Sequence, residues 1–481
     1  MIKLILKNTI FQYVFSRYSI YLLQFLNSIF LAVYLGPYYM GVYGFIQLII
    51  AYFNQFNFGI PFALNNILSI HKNKSKYVSF TFNTGLSLVI LLSIIVFLLF
   101  LISYLTNINI GKAYKFKEYS FIVCFIVILN YLNSIFINLF RVYNKLWEIT
   151  FSQAIYPICI CISIFFSKGE QLLNNLVWSN LLSFLIVFIL FLLRSPLSFH
   201  PIIAPSILKN LKNKSLLLFV YNSSFYLIFI STRSLVSINY SVSEFGLFTF
   251  SFTLAGIVFL LLDSFSFLIF PKLLNRLATI GNEKAHDLIK DMRSKYVLLA
   301  HILTYFSIFS YKLFMSFFLK YQSTVTVFIF IALTQLVYSQ CFGYPALLMA
   351  RKKEKEIAIF ALLSLIINIL FGLILTNYFE VDYSYVILTS TFTYIIYTLL
   401  VAKKGLKELN QKNSLSLVIG IIFPWRLLIP ILIGFTVGTV NISPYQYTLP
   451  LISFIILNIK DLKSLILELK SIITKPDITK I

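Results

Sequence analysis

The chain has 481 residues, 59% of them apolar and only 11% charged, against roughly 25% charged in an ordinary soluble domain, and this balance excludes a cytosolic enzyme. Thirty-nine Lys and Arg against 16 Asp and Glu leave a formal charge of +23. In a soluble protein that excess would point to nucleic acid; in a membrane protein it asks on which side of the bilayer the cations lie. The four cysteines, Cys124, Cys159, Cys161 and Cys341, sit inside apolar runs without the spacing of a disulfide framework or zinc site. No metal or cofactor is expected.

A bilayer core of about 30 Å needs roughly 20 apolar residues per helix. Fourteen such runs, punctuated by charge or by Gly and Pro, predict helices in chain order. Six lie near 10–34, 42–70, 79–105, 119–140, 149–167 and 172–193. Six more lie near 215–239, 245–270, 296–318, 324–349, 357–378 and 383–402, and a last pair near 416–440 and 445–459. Runs such as 86–101 are almost continuously apolar where the strands of a membrane barrel would alternate. The first run is too long for the apolar core of a signal peptide and is expected to stay in the protein. In the tail, Leu462, Leu465, Ile466, Leu469, Ile472 and Ile473 follow helical spacing beside Lys460, Lys463, Lys470 and Lys475. That pattern predicts an interfacial helix on an anionic leaflet, or a solvated amphipathic one.

The cations set the orientation. With the N-terminus inside, thirty of the 39 fall in cytoplasmic segments, five in external loops (Lys112, Lys115, Lys117, Lys168, Lys320), and four within or at the ends of helices. This bias predicts an even number of spans with both termini in the cytoplasm. The polar loop 194–214 divides the chain into six-helix lobes at 1–205 and 206–404, followed by a helix pair at 405–459 and an amphipathic tail at 460–481. The lobes carry a short repeat: Gly41-Val42-Tyr43-Gly44-Phe45 opens the second helix of one, and Gly246-Leu247-Phe248-Thr249-Phe250 the second helix of the other. The expected fold class is an all-α polytopic membrane protein of about 14 helices.

A charge inside the bilayer costs roughly 2.5–3.5 kcal/mol on insertion scales, so such residues should face protein, water or substrate. Arg233, in Ser231-Thr232-Arg233-Ser234, has the fork that grips a diphosphate or an acidic sugar, or else pairs with Asp263 on the next helix. Asp263 is the one acid deep in a predicted span and could also serve coupling to protons or sodium. Arg17 and Lys312 lie nearer helix ends, where they bind substrate or reach the headgroups along their stems. His301 is a lone helical histidine, of the kind usually satisfied by a neighbour, and Arg426, after Pro424-Trp425, reads as an interface anchor.

Leu35-Gly36-Pro37 before Gly41-Val42-Tyr43, then Phe58-Gly59-Ile60-Pro61, resembles the polysaccharide flippases of the multidrug/oligosaccharidyl-lipid/polysaccharide exporter superfamily. Glu244-Phe245-Gly246-Leu247-Phe248 and the stretch from Pro271 to Ala285 look like the corresponding second-half features. The chain departs from the family pattern at Val33, where Arg is frequent, and at Asn57, where Asp is frequent. The resemblance implies two six-helix lobes around a cavity that opens alternately to each side of a bacterial inner membrane. It implies as cargo an undecaprenyl-diphosphate-linked oligosaccharide, an O-antigen or capsule repeat unit, for which the intramembrane cations Arg233, Arg17 and Lys312 are the expected contacts. Membrane lipids, polysaccharide polymerase and chain-length machinery are the expected partners, and nucleic acid is not. Two alternatives stay open: a drug or cation antiporter of the same superfamily, which should carry acids in its helices, and a membrane polymerase or glycosyltransferase, which should carry a sizeable external loop. The external acidic pair Glu380 and Asp382 lies in a very short loop, and no phosphate-binding G-x-x-x-x-G-K-[ST] motif occurs.

Overall fold

In hydrocarbon every backbone N–H and C=O must be satisfied within the segment, and this chain does so with helices. The computed structural model describes residues 9–70, 74–106, 111–200, 202–440 and 443–474, without the side chains of 9–15, 62, 66, 69, 70, 209–218, 261–272, 319, 444 and 468–474. Among the described residues there is no strand. The helices are α1 (Thr9–Gln55), α2 (Ile60–Ile70), α3 (Ser75–Leu105), α4 (Phe116–Val142), α5 (Leu146–Phe166), α6 (Gly169–Arg194), α7 (Pro205–Asn239), α8 (Val242–Thr279) and α9 (Asn282–Met315). They continue as α10 (Thr324–Ser339), α11 (Tyr344–Ala350), α12 (Glu354–Asn377), α13 (Leu388–Glu408), α14 (Leu415–Ile422), α15 (Trp425–Thr439), α16 (Leu449–Leu457) and α17 (Ile459–Thr474).

Among the described residues nine helices are long and apolar enough to cross a membrane, and eleven spans result if the bent pairs α10–α11 (41°) and α14–α15 (71°) each count once. Each of the fourteen apolar runs in the sequence falls on a helix or a broken pair. The chain is thus an all-α, multi-pass membrane protein. The large exposed residues of α3, including Leu91, Ile94, Leu98, Leu99 and Ile102, form a face that water would not tolerate and that acyl chains cover.

The chain forms two compact units, Met1–Thr253 with Ala361–Tyr383, and Leu254–Phe360 with Ser384–Ile481. In the first unit α1 breaks at Gly36 (φ 73°, ψ 169°), a left-handed conformation that glycine adopts without strain. Pro37 then starts the second arm, where its missing N–H would be unpaired in any case. A second break precedes α2 at Phe58 and Gly59, both at positive φ. Asn57 holds it: Gly59 N–H donates to Asn57 Oδ1 at 2.9 Å, and Asn57 Nδ2 donates to the Asn54 carbonyl at 2.8 Å. An Asp here could make only the first bond, which is a physical role for the amide at this position. Phe82, Phe136, Phe140 and Phe191 pack ring against ring between α3, α4 and α6.

The second unit is organised by a buried guanidinium. Arg293 Nε donates to the Gln340 carbonyl at 2.6 Å, and its Nη2 donates to the carbonyls of Ile421 and Ile422 at 2.9 and 3.0 Å. Gln340 closes α10 and Ile422 closes α14, so one side chain satisfies carbonyls that both helix breaks would leave orphaned. Arg293 is one of the thirty cations that the sequence assigns to cytoplasmic segments, among the six from Lys272 to Lys295, but it is 9% exposed and structural. His301 is fully buried, with Nδ1 3.0 Å from the Tyr305 hydroxyl, Nε2 3.0 Å from Gln340 Nε2, and its ring stacked on Phe454. It is satisfied by neighbours, as a lone helical histidine is expected to be. In α17, Leu465 is buried while Ile466 and Leu467 are exposed; the side chains of Leu469, Lys470, Ile472 and Ile473, and Lys475, lie outside the described residues.

Candidate functional site

Polar residues at helical spacing on four helices converge in the first unit. Arg17, Tyr21 and Gln24 share one face of α1, Asn130 and Asn133 one face of α4, and Ser152, Gln153 and Tyr156 one face of α5. Together with Ser183 and Phe184 of α6 they line a cavity of about 250 Å³. Arg17 Nη1 donates to Gln153 Oε1 at 2.6 Å, and its guanidinium lies 5.6 Å from the Tyr21 ring centroid. Asn130 Nδ2 donates to Asn54 Oδ1 at 2.7 Å, and the Tyr156 and Tyr43 hydroxyls are 2.8 Å apart. Asn133 donates to the Phe184 carbonyl at 3.0 Å, but its Oδ1 has no hydrogen-bond partner although the residue is only 2% exposed. A buried acceptor left unmatched costs roughly 1–3 kcal/mol, which marks this wall as a polar position set into apolar surroundings. No carboxylate is among the lining residues.

The second feature of this unit is a seam between the second arm of α1 and the start of α8. A Cβ on Gly41 would overlap the carbonyl oxygen of Val242, and a Cβ on Gly246 would overlap that of Pro37. The contact is reciprocal: each glycine meets the carbonyl four residues before the other. A Cβ on Gly44 would lie 2.5 Å from Thr249 Oγ1, and Thr249 is the position to which the same shift carries Gly44. The short repeat seen in the sequence is therefore two helix ends packed against each other about a local two-fold relation.

Arg233 belongs to this seam. It is 9% exposed, donates from Nη2 to the Gly44 carbonyl at 3.3 Å and lies 5.0 Å from the Phe252 ring centroid, while its Nε has no hydrogen-bond partner. Asn368 of α12 holds the preceding turn, its Nδ2 within 3.0, 3.0 and 3.1 Å of Ile228 O, Ser231 Oγ and Thr232 Oγ1. Beside it the Tyr52 and Ser234 hydroxyls are 2.6 Å apart.

Arg17 lines the chamber and Arg233 does not. Lys312 lies in the second unit, on the last turn of α9, with Nζ 5.0 Å from the Tyr447 ring centroid. There it complements the negative end of the helix dipole. Asp263 is in α8, and its side chain lies outside the described residues. Sequence reasoning did not single out Asn130, Asn133 or Gln153. Their signal was an amide inside an apolar run, a pattern enriched where membrane helices hydrogen-bond to one another.

Neither a family model nor a curated protein matches the chain. Among solved structures it is similar to "Lipid II flippase MurJ, inward closed conformation", with a TM-score of 0.68 and 16% identity over 93% of this chain and 97% of that one. It is also similar to an inward-facing multidrug resistance MATE family transporter of the MOP superfamily, with a TM-score of 0.59 and 11% identity over 84% of this chain and 94% of that one. Near-complete coverage at such low identity shows that this chain has the fold seen in the MurJ flippase and the MATE transporter.

Proposed function

We propose that the chain is a flippase that moves an undecaprenyl-diphosphate-linked oligosaccharide, an O-antigen or capsule repeat unit, from the inner to the outer leaflet of a bacterial cytoplasmic membrane by alternating access. The observation that carries this reading is the Arg17 chamber, cationic, rich in amides and hydroxyls, and lined by no acid. A guanidinium grips a phosphate or sugar carboxylate through two parallel hydrogen bonds, Asn and Gln bind hydroxyls in both senses, and tyrosine faces stack on sugar rings. At about 250 Å³ the chamber is smaller than the roughly 300–1,000 Å³ of a site for a drug-sized ligand, so it serves as a subsite for one charged or hydroxylated group. The polyprenyl tail stays in lipid, and translocation needs no bond chemistry. The likeness to a lipid II flippase over nearly the whole chain supports the same reading.

The glycine seam is the natural contact to part when the outer side opens, since it joins two repeat segments by close backbone approach at Gly41 and Gly246. Arg233 and Lys312 are assigned secondary substrate contacts on this reading. A cationic drug would meet Arg17 with like charge, which disfavours the antiporter.

The test is the distribution of the lipid-linked glycan in cells carrying Arg17→Gln or Arg233→Ala at wild-type membrane levels. Accumulation on the inner face with loss of surface glycan is the expected result, stronger for Arg17→Gln. Normal surface glycan from a well-expressed Arg17→Gln variant, or loss of resistance to cationic drugs in its place, would overturn the assignment.

A further inference from the structure

A cavity of about 510 Å³, twice the size of the Arg17 chamber, lies wholly in the second unit, between residues 291–298 of α9, the break at Pro424 and the start of α17. Its level in the bilayer follows from the residues around it. Residues 282–291 of α9 carry Glu283, Lys284, His286, Asp287, Lys290 and Asp291, whereas from Tyr296 the helix becomes apolar. Trp425, 59% exposed, stands at the mouth, and tryptophan concentrates where hydrocarbon meets headgroups. Helix α17 presents exposed Ile459, Ile466 and Leu467 beside Lys460, Asp461 and Lys463, the pattern of a helix lying in that boundary. The cavity is therefore at headgroup depth, at the ends of the spans where Lys and Arg are concentrated.

Its wall carries charge of both signs. Arg426 lines it from α15, its guanidinium 5.6 Å from the Trp425 ring centroid. Lys295 lines it from α9, paired with Asp291 at 2.8 Å. Asp461 lines it from α17 and is exposed. Arg293 adds positive field from behind, fixed by its three carbonyls. A purely anionic headgroup would gain nothing from Asp461, and a simple ammonium would be repelled by Arg426. A ligand with a phosphodiester and an ammonium a few atoms apart satisfies both.

We propose that this cavity seats the headgroup of an aminophospholipid of the adjoining leaflet, with its phosphodiester against Arg426 and Lys295, its ammonium against Asp461, and its acyl chains along the exposed apolar residues of α17. The site is independent of the cargo the protein carries. Its occupant ties the interfacial helix to the α14–α15 break.

The test uses the full-length protein in detergent, incubated with equimolar phosphatidylethanolamine, phosphatidylglycerol and phosphatidylcholine and read by native mass spectrometry. Phosphatidylethanolamine is expected to be retained in preference to the other two. Arg426→Gln and Asp461→Asn, both at exposed positions, are each expected to weaken that retention about tenfold while leaving the thermal unfolding curve in place, since each removes one charge-assisted hydrogen bond. Soluble glycerophosphoethanolamine should displace the lipid. Preference for phosphatidylglycerol, equal retention by both variants and wild type, or no displacement by the soluble headgroup would each overturn the proposal.

Discussion

Replacing Gly41 by Ala is expected to prise the second arm of α1 away from α8. The added methyl would overlap the Val242 carbonyl oxygen, a backbone atom that cannot swing aside as a side-chain tip would. Carbon–oxygen contacts settle near 3.3–3.6 Å, so the helices must separate by on the order of 1 Å. Overpacking of this kind costs roughly 1–3 kcal/mol. Gly246→Ala should cost a similar amount, because it meets Pro37 in the mirror position. The reciprocity has a sharper consequence. One separation relieves both clashes, so the double variant should be about as unstable as the worse single one, with a coupling on the order of 1–2 kcal/mol. Gly256→Ala and Gly420→Ala are the controls; each Cβ would meet nothing within 4 Å, and each helix should gain up to about 1 kcal/mol. Thermal unfolding of the purified full-length protein reads all five variants. An additive double variant would refute the shared separation, and a neutral Gly41→Ala would refute the close approach. Transport should be impaired in Gly41→Ala at normal expression, since the seam then fails to close.

Arg293→Ala should lower the stability of the second unit by about 3–5 kcal/mol, because it leaves three carbonyls, two of them in fully buried bonds, without their donor; Arg293→Lys, which offers a point charge instead of a fork, should recover only part of this in the same unfolding assay. His301→Phe should destabilise the protein but leave the pH profile of transport unmoved, since Tyr305 and Gln340 occupy both ring nitrogens; a shifted profile would assign His301 a role in coupling. Outside the spans, a hydrogen bond and then the charge of Glu170, 3.0 Å away, hold the Lys115 ammonium above the ordinary lysine pKa. A raised folded pKa means that the small contribution of this pair is present below the ordinary value and lost as the pH rises through the folded one. NMR titration of labelled lysines should show the Lys115 pKa falling in Glu170→Gln, and an unchanged value would count against the pair.

The helices were legible because lipid imposes a length and an unbroken apolar composition that few other environments demand. The break at Gly36-Pro37 announced itself through residues that cannot continue a helix, and the repeat around Gly41 and Gly246 was visible as a spacing, whereas the 71° bend at Pro424 divides what the sequence presents as one run over 416–440. What the repeat does was not legible, because a glycine reads the same in a turn as in a backbone-to-backbone approach, and only the packed structure sets Gly41 against Val242. The Arg17 chamber was half legible. Its cation stood out, but Asn133 and Gln153 lie more than a hundred residues further along, and their convergence is a tertiary fact. Arg293 was misread for a related reason. At the polar end of α9 a solvated cation and a buried one look alike, and its acceptors are 47, 128 and 129 residues away.

The arginines differ most in what accepts their hydrogen bonds, and that difference bears on which of them can exchange a partner for a ligand. Arg293 holds the backbone carbonyls of Gln340, Ile421 and Ile422, and Arg351 holds that of Ile280 together with the Asn282 side-chain oxygen. Withdrawing either guanidinium would leave orphaned backbone groups that have no means of turning away. Arg233 is intermediate, with Nη2 committed to the Gly44 carbonyl and Nε unbonded. Arg17 instead holds the side-chain amide of Gln153 at the wall of a cavity. When an anion enters, that amide can rotate and bond the incoming group itself. Because a phosphate or carboxylate adds a full opposite charge and takes two parallel bonds from the guanidinium, the exchange at Arg17 runs toward the ligand, whereas at Arg293 it would run against the fold. On the proposed function, the first contact with an anionic cargo therefore falls to Arg17, and Arg233 follows only if the seam opens and releases Gly44.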